Sequence, residues 1–127
     1  MALNGVTLSD HDSGTSDGAG IECYDCQGTW QNVALSRNVG DGRGGGQHAY
    51  LSTLTIQSST IDGNTADDGG GIHNEESTLQ LINVTVSGNQ ATANRGGLYN
   101  DDGSIDPSAI TMTNVTLKDN GAVDGGG

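Results

Sequence analysis

Carboxylates are the commonest groups in this chain that could do chemistry. Asp62, Asp67, Asp68, Asp101 and Asp102 fall in or beside turn-rich stretches, and calcium takes six to eight oxygens of this kind. These five are the candidate metal ligands and calcium the candidate cofactor. The competing reading is a set of solvated acidic corners that keeps a repetitive surface soluble, and the strict nonapeptide of calcium-loaded β-rolls is absent. His48 and His73 come one repeat apart, in a column that begins at Glu22 and ends at Tyr99. Two imidazoles beside a carboxylate can hold a transition metal or act as a weak acid/base pair; the plainer expectation is an outward-facing ladder. Cys23 and Cys26 enclose Tyr24 and Asp25. Such a pair can be a redox motif, half a zinc site or a small-loop disulfide. There is no βαβ context for the first and no second pair for the second, so a disulfide is expected. The glycine clusters lack the Lys-Ser/Thr ending of a phosphate loop.

These groups must be held by some architecture, and composition limits the choice. The 127 residues are 31% apolar, with three Tyr, one Trp and no Phe, too few bulky side chains for a conventional two-layer core. Sixteen acids against four bases give a formal charge of −12, which repels nucleic acid and anionic lipid. No apolar run reaches the length of a membrane span, and the start has neither a basic region nor an apolar leader segment. Low hydrophobicity, high charge and 22 glycines are also the marks of a disordered chain, so order has to come from pattern.

The pattern is a repeat. VTLSDH from Val6, VALSRN from Val33, STIDGN from Ser59, VTVSGN from Val84 and VTLKDN from Val115 superpose with spacings of 27, 26, 25 and 31 residues, and each is followed by a glycine cluster. Upstream of the last four lie short alternating runs that put Trp30, Ile56, Leu81 and Met112 in one column and Leu35, Ile61, Val86 and Leu117 in another. A period of two means strands with one face inward. A third short strand follows each of the first four glycine clusters, as IECY, QHAY, IHNE and LYND. A unit this small buries its apolar side only by stacking on copies of itself. The expected fold is therefore all-β, a right-handed parallel β-helix of about five coils of 25–27 residues, forming a single domain over residues 1–127. Asn38, Asn64, Asn89 and Asn120 are expected at turns in left-handed backbone, as are Asn32, Ser58, Asn83 and Asn114.

With LSRN, IDGN, VSGN and LKDN each followed by glycines and then, in most coils, Ile or Leu, the chain resembles the repeats of polymorphic outer-membrane proteins and related secreted parallel β-helix proteins. It departs from them in placing Leu, Ile or Val where Phe is typical, and its 127 residues hold no translocating β-barrel. The resemblance implies an extracellular or cell-surface location and an adhesive or passenger-domain role, and it brings no agreed catalytic site.

The expectation is thus a non-enzymatic structural or adhesive module with no catalytic residues. Its partners would be further coils, from end-to-end self-association into a fibre or from a longer chain, together with a glycan or cell-surface ligand. The main alternative is a carbohydrate-binding or carbohydrate-cleaving module. Ice binding is a lesser one, because the column of Thr29, Thr55 and Thr111 is interrupted by Gln80. The glycosylation sequons at Asn83 and Asn114 read as by-products of the repeat.

Overall fold

The computed structural model describes residues 1–127. Seventeen short strands wind through five coils, and no helix is present. Coil 1 holds β1 (Ala2–Asn4), β2 (Thr7–Ser9) and β3 (Ile21–Tyr24); coil 2 holds β4 (Gln27–Gln31), β5 (Ala34–Ser36) and β6 (Gln47–Tyr50). Coil 3 holds β7 (Thr53–Gln57), β8 (Thr60–Asp62), β9 (Thr65–Asp68) and β10 (Ile72–Glu75). Coil 4 holds β11 (Thr78–Ile82), β12 (Thr85–Ser87), β13 (Gln90–Asn94) and β14 (Leu98–Asp101), and coil 5 holds β15 (Ala109–Thr113), β16 (Thr116–Lys118) and β17 (Gly121–Asp124). Like strands of successive coils pair in parallel to make four sheets, β1-β4-β7-β11-β15, β2-β5-β8-β12-β16, β3-β6-β10-β14 and β9-β13-β17. The fold is a parallel β-solenoid of about five coils.

Register follows the repeat. Leu3, Trp30, Ile56, Leu81 and Met112 align on the first sheet, and Leu8, Leu35, Ile61, Val86 and Leu117 on the second. Their middle members are at most 1% exposed, so each contributes roughly 1.5–3 kcal/mol of apolar burial. The fourth sheet has no counterpart in the sequence reading. In coils 1 and 2 it is reduced to isolated bridges, Asp12 to Val39, Val39 to Thr65 and Arg43 to Asp68. The longer 31-residue spacing before coil 5 accommodates residues 102–108, a loop whose Ser104 and Ile105 amides donate to the Glu76 carboxylate at 2.7 and 3.1 Å.

The corners are built on left-handed residues. Asn32, Ser58, Asn83 and Asn114 have φ of 50–54°, as expected. The other asparagine column does something different. Positive φ falls on the residue just before it, at Arg37, Gly63, Gly88 and Asp119, while Asn38, Asn64 and Asn89 are wholly buried. The Oδ1 atoms of Asn64, Asn89 and Asn120 each accept two bonds from the preceding coil, as when Asn64 receives the Asn38 backbone N–H at 2.9 Å and its Nδ2 at 3.0 Å. Each Nδ2 also donates back to a carbonyl of the preceding coil, Asn64 to Leu35 at 2.9 Å and Asn89 to Ile61 at 3.0 Å. A serine ladder, not anticipated, supports a further corner: Ser52 Oγ accepts the Cys26 amide at 3.0 Å and Ser77 Oγ the Ser52 amide at 2.8 Å.

The glycine clusters are needed for close approach. A methyl group at Gly70 would collide with the carbonyl oxygens of Gln90 and Gly96, which belong to backbone and cannot swing aside. Gly70→Ala is therefore expected to cost roughly 1–3 kcal/mol through overpacking, read as a lower urea midpoint, whereas Gly127→Ala, with nothing near its Cβ position, leaves the midpoint unchanged.

Candidate functional site

The outer face of β3-β6-β10-β14 carries two side-chain columns. Glu22, His48, His73 and Tyr99 share one register position, and Tyr24, Tyr50, Glu75 and Asp101 another. The period of two sends both columns away from the core, since the alternate positions hold Cys23, Ala49 and Ile72, which belong to it. The histidines are nonetheless shielded. His48 is 4% exposed and His73 0%, because the rings stack along the axis and cover one another. His48 and His73 meet edge to face with centroids 5.3 Å apart, His73 and Tyr99 likewise at 4.7 Å, and the Arg95 guanidinium lies 5.3 Å from the Tyr99 ring centre.

Charged groups surround the rings. Glu75 Oε2 lies 3.3 Å from His48 Nε2 and accepts a bond from Arg43 at 2.7 Å. Asp17 Oδ2 is 3.9 Å from His48 Nδ1, and Asp101 Oδ2 is 3.8 Å from His73 Nε2, both too long for hydrogen bonds. A shallow pocket of about 340 Å³ opens over this cluster, lined by Asp17, Glu22, Arg43, His48, Tyr50 and Glu75. Neither ring nitrogen of His73 has a hydrogen-bond partner, nor has His48 Nδ1. Burial is the main reason that the His73 pKa drops from 6.5 to about 4; His48 and Arg43 add to the drop, and Asp101 and Asp68 oppose it. Burial also raises the Tyr50 pKa, with Glu76 and Glu75 pushing the same way.

The five acids read as calcium ligands are dispersed. Asp62 ends β8 on the second sheet, Asp67 and Asp68 lie on β9, and Asp101 and Asp102 close and follow β14. Each of four is engaged locally, Asp67 by the Thr92 hydroxyl, Asp68 by Asn94 Nδ2 at 2.7 Å, Asp101 by the Gly103 amide at 3.1 Å and Asp102 by the Ser108 amide at 3.2 Å. Only Asp68 and Asp101 come near a common group, His73. Cys23 and Cys26 are bonded to one another across a turn at Asp25. The bidentate pair of Arg37 with Asp10 at 2.7 and 2.8 Å holds the Asp10 carboxyl below its usual range; it lies on the exposed surface, away from the pocket.

Sequence reasoning aligned His48 with His73 but could not show that the column is enclosed or that Glu75, two positions along the same strand, turns to the same side and meets His48. Alternation along IHNE was the available signal, because His73 and Glu75 have the same parity.

A family model for the Chlamydia polymorphic membrane protein (Chlamydia_PMP) repeat matches residues 58–75. Neither curated proteins nor solved structures gave a match. The matched stretch begins at the left-handed Ser58, runs through β8, β9 and the Gly69–Gly71 corner, and ends at Glu75 of β10. Coil 3 is therefore similar to a polymorphic membrane protein repeat over these residues, and it sits within a parallel β-solenoid of five coils in register.

Proposed function

We propose that the protein is a structural module of the cell surface, an extracellular β-solenoid whose end coils are continued by further coils, of a longer chain or of another copy stacked end to end. The observation that supports this most directly is the register of like residues through five successive coils, which a further coil on either face would continue. β15, β16 and β17 pair on one side only, as do β1 and β2, so each end presents open strand edges. On coil 5 the columns that are buried elsewhere come into view, with Met112 51% and Leu117 40% exposed. Leu3 and Leu8 occupy the same columns on coil 1. Head-to-tail addition would set Met112 on Leu3 and Leu117 on Leu8, continuing the ladders, and a heterologous contact of that kind extends without closing.

Purified protein is expected to give filaments or a concentration-dependent ladder of oligomers in negative-stain microscopy and sedimentation velocity. Leu117→Lys, which places a charge in the end face, should shift the population to monomer without lowering the melting temperature. A monodisperse monomer at millimolar concentration refutes the stacking. One observation favours the second reading, a glycan-binding surface: Tyr50 lines the acidic pocket, and its ring lies 5.4 Å from that of Tyr24, centroid to centroid. Such rings can stack on the apolar faces of sugars, and this reading calls for glycan binding that Tyr24→Ala and Tyr50→Ala abolish.

A further inference from the structure

We infer that His48, His73 and Glu75 form a binding site for one divalent transition-metal ion of the zinc class, joining coil 2 to coil 3. Each of the three offers one ligand atom, and those atoms all lie within 4.8 Å of one another. A zinc ion bound at 2.0–2.2 Å sets its tetrahedral ligands about 3.4 Å apart, so small side-chain rotations close the set.

An independent observation points the same way. His73 is completely buried, yet neither ring nitrogen has a partner. A buried polar atom left in that state costs about 1–3 kcal/mol, and a metal bound to the ring removes one of the two deficits. Buried polar atoms normally find partners, so the orphaned ring is the anomaly that a ligand would explain.

The surroundings suit a cation. Besides Glu75, the carboxylates of Asp17, Glu22, Asp68 and Asp101 face or flank the two rings. Asp17, 3.9 Å from His48 Nδ1, stands where an outer carboxylate orients a metal-bound imidazole. Arg43 is the one opposing charge. It donates to Glu75 at 2.7 Å, which orients the carboxylate, and its side chain is 43% exposed and free to turn outward. The pocket side of the cluster leaves room for a water molecule as fourth ligand. Two imidazoles and one carboxylate form a borderline set that favours zinc, cobalt, nickel or copper over calcium and magnesium. Histidine occupies this column only in coils 2 and 3, with Glu22 and Tyr99 at the flanking positions, so the chain holds one such site.

The test titrates chelator-treated protein with Zn²⁺ by calorimetry and with Co²⁺ by visible absorption, with Ca²⁺ as the control ion. The expected result is one Zn²⁺ per chain, cobalt d–d bands of a four-coordinate site, a melting temperature that rises with Zn²⁺ and no response to millimolar Ca²⁺. Glu75→Gln and His48→Gln keep side-chain size at positions that line the pocket, and each should weaken Zn²⁺ binding by more than about tenfold, the lower bound for losing even an outer-shell partner. No Zn²⁺ uptake, uptake that neither variant alters, or equal competition by Ca²⁺ overturns the site.

Discussion

Asn64→Asp is expected to remove about 4 kcal/mol of stability at pH 7, close to the whole of a marginal domain's reserve of roughly 5–15 kcal/mol. The substitution keeps shape and volume, and Oδ1 can still accept from Asn38. What changes is the other terminal atom. Asn64 Nδ2 donates to Leu35 O at 2.9 Å and to Asn89 Oδ1 at 3.0 Å, and an aspartate oxygen would face both acceptors with a charge that has no solvent and no cation near it. Asn64→Ala should cost about 3 kcal/mol, since the Asn38 N–H would be orphaned at roughly 1–3 kcal/mol and Asn38 Nδ2 would keep only its bond to Leu8 O. Asn32→Asp is the control. Asn32 is exposed and sits at a corner with φ of 53°, a conformation that Asp also adopts, so its cost should stay below about 1 kcal/mol. Urea unfolding of the three variants decides the matter. Equal losses at positions 64 and 32 would mean that the buried ladder contributes no more than a surface corner.

The contrast between those two asparagine columns also marks the limit of what the amino-acid sequence makes legible. Period-two alternation located the Trp30 and Leu35 columns because their inward residues are large and apolar while their neighbours are polar. It missed the sheet of β9, β13 and β17, whose inward residues are Ala66, Ala91 and Ala122, too small to stand out from the surrounding Thr, Gln and Asn. Both asparagine columns looked like turn residues, since an Asn in left-handed backbone and an Asn buried in a ladder give the same letter. Only the burial of every neighbouring coil turns one of them inward. The candidate site divides in the same way. The alignment of His48 with His73 followed from repeat spacing, whereas their enclosure depends on contacts that spacing does not show, with Tyr99 and with each other. Likewise the acids at 62, 67, 68, 101 and 102 were grouped by sequence proximity to glycine corners, whereas the solenoid spreads them over three sheets and brings Asp68 and Asp101 near His73.

Acid is expected to destabilise the metal-free protein well before its carboxylates titrate, and His73 is the cause. In the folded chain its pKa is lowered to about 4 by burial first, then by His48 and Arg43, whereas in the unfolded chain it stays near 6.5. Above pH 6.5 the ring is neutral in both states and contributes no pH dependence. As pH falls from 6.5 toward 4 the unfolded chain takes up a proton that the folded chain refuses, so stability declines across that window. At 1.36 kcal/mol per pKa unit the loss approaches about 3 kcal/mol by pH 4. The measurement is urea unfolding at pH 7.5, 6, 5 and 4.5 with chelator present, beside His73→Leu. The leucine variant has no proton to take up and no orphaned ring nitrogens, so its stability should be nearly flat over the same range and should exceed that of the parent at pH 4.5. A parent as flat as the variant would show that the ring is reached by water or by a partner in the folded state. A steep variant would transfer the acid sensitivity to other groups in the fold. If the expected pair of curves is found, this fully buried position carries a residue that lowers the solenoid's stability in acid, and the cost is understandable where the imidazole has a ligand to hold.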